Sequence, residues 1–105
     1  MNGLTQELAD EYASWFRCLA DGTRLRVLSI VASADGPVTV GEIVDQMDKS
    51  QSTISRHLKV LADERFVLTE TDGIRTRVRV NTNCMTELPI AAAAVMGTAA
   101  KGTTP

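Results

Sequence analysis

The sequence predicts a mostly α-helical domain that ends in a β-hairpin and one further helix, and three observations carry that expectation. Apolar residues recur at helical spacing from Leu4 to Leu61. After Arg65 the period drops to two, through FVLTET and IRTRVRV. Between those two runs stands Asp72-Gly73, a pair that favours a tight hairpin turn. With 105 residues, 44% of them hydrophobic and 23% charged, the chain has the size and composition of one domain around one core.

Residues 4 to 20 place Leu4, Leu8, Tyr12, Trp15, Phe16 and Leu19 at helical spacing, which makes a first helix. Asp21 supplies an N-cap to a second, GTRLRVLSIVASA, with Leu25, Leu28, Val31 and Ala32 expected on its inner face. Asp35, Gly36 and Pro37 end it. Thr39 and Glu42 form a capping box for a short third helix whose inner side is Ile43, Val44 and Met47. Asp48 and Lys49 turn the chain, and Ser50 caps the fourth helix. There Ile54, Leu58 and Leu61 fix the inward stripe. Gln51, Ser52, Ser55, Arg56 and Lys59 are thereby turned outward, with His57 at the boundary. A short helix, a tight turn and a second helix with a polar, basic outer face form a helix-turn-helix pattern.

The hairpin follows over residues 66 to 80, with a type I′ turn expected at Asp72-Gly73. On its second strand Ile74, Val78 and Val80 point one way, and Arg75, Arg77 and Arg79 the other. The last helix is expected over about 86 to 96, with Pro89 in its first turn and Gly97 as its C-cap. It is built almost wholly of Ala, Val, Ile, Leu and Met, so a second copy of the chain is its expected cover. Residues 1–97 thus read as a single domain, and 98–105 as a tail expected to be disordered.

The net charge of −2 and the pI of about 5.3 conceal an uneven distribution. Residues 1–48 hold three basic side chains against eight acids, whereas residues 49–79 hold seven basic side chains against four acids. A local basic segment on an acidic body suits a polyanionic partner. Gln51 can pair bidentately with adenine, Arg56 with guanine, and Ser52 and Ser55 with either. Lys59, Arg75, Arg77 and Arg79 suit phosphates or the minor groove of double-stranded DNA. His57 reads more readily as part of the packing than as a contact. No Gly-rich phosphate loop and no Cys/His cluster accompanies it, and it is the one histidine present, so an enzyme is not expected. The N-terminus shows no basic region followed by an apolar run, and Pro89 and Gly97 interrupt the longest uncharged stretch. The expectation is a cytoplasmic protein with reduced cysteines.

FRCLADGTRLRVL, SQSTISRHLKVL and the Asp-Gly hairpin together resemble the ArsR/SmtB family of bacterial metal-sensing repressors. The family patterns are F-x-A-L-A-D-x-T-R-L-x-I-L and S-Q-x-x-[VI]-S-x-H-L-x-x-L, and the resemblance covers about residues 10 to 95. It implies a fold that is mostly α with a β-hairpin wing, a winged helix-turn-helix of order α1-α2-α3-α4-β-hairpin-α5, homodimeric through its terminal helices. It also implies a transcriptional repressor that leaves its operator DNA when a metal or other inducer binds. The positions carried over as DNA contacts are Gln51, Ser52, Ser55 and Arg56.

The family's sensor sites do not carry over. The third-helix segment VTVGEIVDQM has no Cys-x-Cys box, CMTELPIAAAAVM has no His or Asp, and Ser29 stands where dithiol persulfide sensors place a first cysteine. Cys18 and Cys84 remain, both at elements expected to form the dimer, with Cys84 near a helix N-terminus that favours its thiolate. Two thiolates suit a soft ion such as Hg(II); As(III) prefers a third, which two subunits together can supply. A thiol/disulfide switch and purely structural cysteines are the alternatives, and no cofactor is required by any of these readings.

Overall fold

The computed structural model describes residues 3–97. Two helices, α1 (Gln6–Cys18) and α2 (Gly22–Ser33), lead to a two-residue strand β1 (Val38–Thr39). Next come α3 (Val40–Asp45) and α4 (Gln51–Asp63), the hairpin strands β2 (Val67–Asp72) and β3 (Arg75–Val80), and α5 (Thr82–Met96). The expected tail over 98–105 lies outside the described residues.

Each helix start has a side chain that satisfies an otherwise orphaned N–H. Thr5 accepts from Leu8 N at 3.2 Å, Asp21 from Arg24 N at 3.0 Å and Ser50 from Thr53 N at 3.2 Å. The Thr39 and Glu42 capping box is complete, at 3.1 and 2.8 Å. The strands form one antiparallel sheet of order β1-β3-β2, with Val38 opposite Val78 and Val67 opposite Val80. The sequence did not announce β1; it exists because the segment entering α3 finds the free edge of β3.

The core gathers Val27 and Val31 of α2, Ile43 of α3, Met47, the Ile54-Leu58-Leu61 stripe of α4, and Phe66, Val67 and Val78 of the wing. The expected α4 stripe is therefore buried, as are Ile43 of α3 and Met47 just beyond it, while Val44 is half-buried against them. The α2 face is different: Val27 is 0% exposed and Leu25 is 48% exposed. Leu25, Val27, Leu28, Ile30, Val31 and Ala32 wrap most of that helix. Its periodicity offers two stripes, and packing against α3 and α4 selects the one through Val27 and Val31.

The turn into the wing is a Schellman arrangement. Phe66 N bonds Leu61 O at 2.9 Å and Arg65 N bonds Ala62 O at 3.0 Å, with Arg65 at φ 65°. Leu61 and Phe66, both buried, supply the apolar contact that accompanies this cap. Arg65 occupies a left-handed position that glycine usually takes.

Two boundaries differ from expectation. Asp72 pairs with Arg75, so the hairpin loop is Gly73-Ile74, one residue later than expected. Gly73 has φ 68° while Ile74 does not, which is the pattern of a type II′ turn; a type I′ turn would force a β-branched residue to positive φ. Helix α5 begins four residues before the expected start, with Pro89 inside it. Asn81 is the reason. Its side chain accepts from Asn83 N at 3.2 Å, and its Nδ2 donates to Arg65 O at 2.8 Å, so the helix starts directly at the end of the wing. Gly97, at φ 80°, ends it as the expected C-cap.

Candidate nucleic-acid interface

The burial of Ile54, Leu58 and Leu61 leaves the opposite side of α4 in solvent, and Gln51, Ser52, Ser55, Arg56 and Lys59 are all exposed there. The N-terminal end of this face is ordered by a hydroxyl cluster. Ser50 Oγ lies 3.2 Å from Ser52 Oγ and donates to Thr53 Oγ1 at 3.0 Å. Lys59 pairs with Asp63 at 3.4 Å, an exposed i,i+4 contact that contributes little and exchanges readily for another anion.

His57 sits half-buried behind that face. Its Nδ1 accepts from Arg24 Nε at 3.3 Å, while Arg24 Nη1 donates to Cys18 O at 2.7 Å. The Asp21 carboxyl is held below its ordinary range, first by the N–H bond from Arg24 and further by the nearby His57 and Arg24 charges. This Asp21-Arg24-His57 linkage braces α4 against the α1–α2 junction, in line with a packing role for His57. Only the proximity in space joins Arg24 to His57; in the sequence they stand 33 residues apart.

On the wing, Arg75, Arg77 and Arg79 all project from the exposed face of β3, and Val78 on the other face is buried. The strand register adds a feature that periodicity did not show. Asp72 stands opposite Arg75 and Glu70 opposite Arg77, so two carboxylates share that face with the three arginines. Ile74, expected inward beside Val78 and Val80, is fully exposed at the hairpin tip, because the ladder ends at Arg75. Between α4 and the wing lies a cleft of about 330 Å³ walled by Ser55, Lys59, Thr69 and Thr76 among others.

The two thiols occupy different surroundings. Cys18 is 5% exposed within the core, and its Sγ donates to Val60 O at 3.9 Å. Burial raises its pKa, which Arg24 partly offsets and Glu64 reinforces. Cys84 is half-buried, and its Sγ donates to Arg65 O at 3.3 Å. It lines a groove of about 380 Å³ with Trp15, Glu11, Glu64, Arg65 and Glu87. Its thiol is also pushed up, by burial first and then by Glu87, so the expected thiolate-favouring effect of the α5 N-terminus is outweighed. Both cysteines are free, and each is bonded to a different carbonyl rather than joined to the other. Among the described residues no group of three or more His, Cys, Asp or Glu side chains is placed to hold a metal. Nor is any described helix long and apolar enough to cross a membrane.

A family model described as bacterial regulatory protein, arsR family, matches residues 21–69, from the α2 cap into β2. The probable mercury resistance operon repressor of Streptomyces lividans is 38% identical over 71 residues, 68% of this chain and 55% of the relative. The arsenical resistance operon repressor of Bacillus subtilis (strain 168) is 32% identical over 73 residues, 70% of this chain and 69% of the relative. The chain spans little more than half the length of several curated relatives, 54% to 56% for three of them. Among solved structures, the homodimeric winged helix-turn-helix DNA-binding domain of a possible ArsR-family regulator from Mycobacterium bovis aligns with a TM-score of 0.68. That alignment has 25% identity and covers 93% of this chain and 92% of that one. These relatives are transcriptional regulators rather than enzymes. Motif, fold and matched length agree: the chain belongs to the ArsR family of bacterial regulatory proteins.

Proposed function

We propose that this chain is a sequence-specific DNA-binding repressor that acts as a homodimer in the cytoplasm, laying α4 in the major groove of its operator. The observation that carries the reading is the partition of α4. Its apolar stripe is consumed by the core, while Gln51, Ser52, Ser55, Arg56 and Lys59 are exposed on one face. In this reading Gln51, Ser52, Ser55 and Arg56 meet base edges. Lys59, Arg75 and Arg77 meet phosphates or the adjoining minor groove.

Two recognition helices must sit about 34 Å apart to reach successive major grooves, which requires a second copy. Phe16 on α1 and Ile90, Val95 and Met96 on α5 are large exposed apolar side chains on the terminal helices, as a self-association face demands. The Mycobacterium bovis neighbour is itself homodimeric. The test is binding of the full chain to duplexes from its own upstream region, followed by anisotropy and sedimentation. Arg56→Ala is expected to abolish specific binding while leaving the dimer intact. Unchanged specific binding would remove α4 from the interface.

The inducer reading is that Hg(II) or As(III), taken by Cys18 and Cys84, releases the DNA. The mercury and arsenical resistance relatives support it, as does the free state of both thiols. The burial of Cys18 and the raised pKa of both thiols oppose it within one resting subunit, so an ion must draw Cys18 out of the core. Such a movement would shift the Cys18 carbonyl that anchors Arg24, and with it the brace on His57 of α4. Cys18→Ser and Cys84→Ser are each expected to bind DNA normally and lose release by Hg(II). Release that persists in both variants excludes the two-thiol site. Release by oxidant and recovery with reductant, with no response to metal, would favour the thiol/disulfide switch instead.

A further inference from the structure

We infer that Ile74 is an apolar wedge: the tip of the β2–β3 hairpin enters the minor groove beside the α4 half-site and sets this side chain against a base step. The inference rests on the DNA-binding reading above and concerns what the wing adds to it. Single exposed apolar residues are common on protein surfaces and by themselves mean little. Four features of this one point to a partner.

The first is its degree of exposure. Ile74 is 101% exposed, so the fold makes no use of it. The second is its position. A two-residue hairpin loop that begins with Gly ordinarily ends in Asn, Asp or Ser, and a large apolar side chain there carries no turn-forming advantage. The third is the shape of the tip. Gly73 has no side chain, so Ile74 is the one side chain that the two-residue loop presents. A minor groove about 6 Å wide admits such a profile.

The fourth is its place relative to α4. Thr76, two residues after Ile74 in the chain, shares the cleft wall with Ser55 and Lys59 of α4. At about 3.4 Å per residue, the tip stands roughly 7 Å beyond that wall. With α4 in a major groove, the tip reaches over the phosphate ridge toward the adjacent minor groove. Arg75, exposed and next in sequence, brings a cation to the same place. A narrow A·T-rich groove attracts such a cation, and apolar side chains flanked by basic ones are the means by which minor-groove binders unstack a step.

The test uses the full chain and duplexes from its own upstream region, with 2-aminopurine at the base pair bordering the flanking minor-groove step, where a kink disturbs its stacking and its own minor-groove amino group lies outside the contacted step. Further duplexes carry that flank as A·T, I·C or G·C pairs. I·C keeps the A·T minor-groove surface, whereas G·C adds an amino group that blocks it. The wild-type chain is expected to brighten 2-aminopurine and to prefer A·T and I·C flanks over G·C. Ile74→Ser, at a fully exposed position, is expected to fold and self-associate normally, bind about tenfold more weakly, and lose both the brightening and the flank preference. Equal affinity, brightening and preference in the two chains would overturn the wedge and leave the DNA-binding reading standing. Wild-type binding no better than that of Arg56→Ala would overturn that reading itself. If Ile74→Ser instead loses self-association or capture of a protein partner while DNA binding is unchanged, the tip is a protein contact and the inference fails.

Discussion

Replacing Asn81 by Ala removes two hydrogen bonds at the point where the wing passes into α5. One is the N-cap bond from Asn83 N, at 3.2 Å, and the other is the 2.8 Å bond from Asn81 Nδ2 to the Arg65 carbonyl. Loss of a cap costs about 1 kcal/mol, and loss of the second bond costs a further ~1 kcal/mol. Asn81 is half-buried, so water recovers part of this, and the net loss is about 1–2 kcal/mol. For a domain of this size each kcal/mol moves the melting temperature by about 4–8 °C, which places the expected drop at about 5–15 °C. The assay is thermal unfolding followed by circular dichroism at one fixed protein concentration, because self-association makes the midpoint concentration-dependent. Asn81→Ser separates the two contributions, since it keeps a cap acceptor and gives up the amide that reaches the Arg65 carbonyl. Asn83→Ala is the control: Asn83 contributes its backbone N–H to the cap, so this variant is expected to melt with the wild type. If Asn81→Ala also melts with the wild type, Asn81 is not what sets the start of α5.

Arg65→Gly relieves a non-glycine residue at φ 65° and is expected to stabilise the chain by about 0.5–1 kcal/mol after the added chain entropy of glycine, read as a raised denaturation midpoint. Asp21 has its carboxyl pKa lowered in the folded chain, so its stabilising contribution is present above the ordinary aspartate range and is lost as pH falls through the lowered value. Asp21→Asn keeps the cap at every pH, and its melting temperature is expected to fall less steeply in acid than that of the wild type; parallel acid profiles would refute the assignment. The paired substitutions Glu70→Gln and Asp72→Asn remove the two carboxylates that stand opposite Arg77 and Arg75 in the strand ladder. DNA binding is then expected to tighten, with the slope of log K against log salt steepening by up to about 2. Unchanged affinity together with an unchanged slope would show that this face of the wing does not lie against phosphates.

How much was legible depended on how many answers a local pattern allowed. In α4 Ile54, Leu58 and Leu61 make one stripe, and the residues of 51–59 that lie off it are all polar, so spacing alone named both the buried and the exposed side. In α2 apolar residues surround the helix, and the choice of Val27 over Leu25 needed α3 and α4 in place. The Asp72-Gly73 pair announced a hairpin, but two registers one residue apart fit it. Pairing of Val67 with Val80 in the core chose between them and put Ile74 in solvent. Pro89 looked like the start of a helix because it suits a first turn; Asn81 caps the chain earlier, held by a carbonyl 16 residues back.

The sequence by itself determined the order of elements, the capping residues Asp21, Thr39 and Ser50, the polar face of α4 and the family, because each rests on contacts within a few residues along the chain. Only the tertiary structure decided where the two thiols lie, which carboxylates face the wing arginines, that Arg24 braces His57, and that Ile74 stands free. Those depend on residues far apart in sequence meeting across a packed core, and on burial and charge at the meeting point, which no local period encodes.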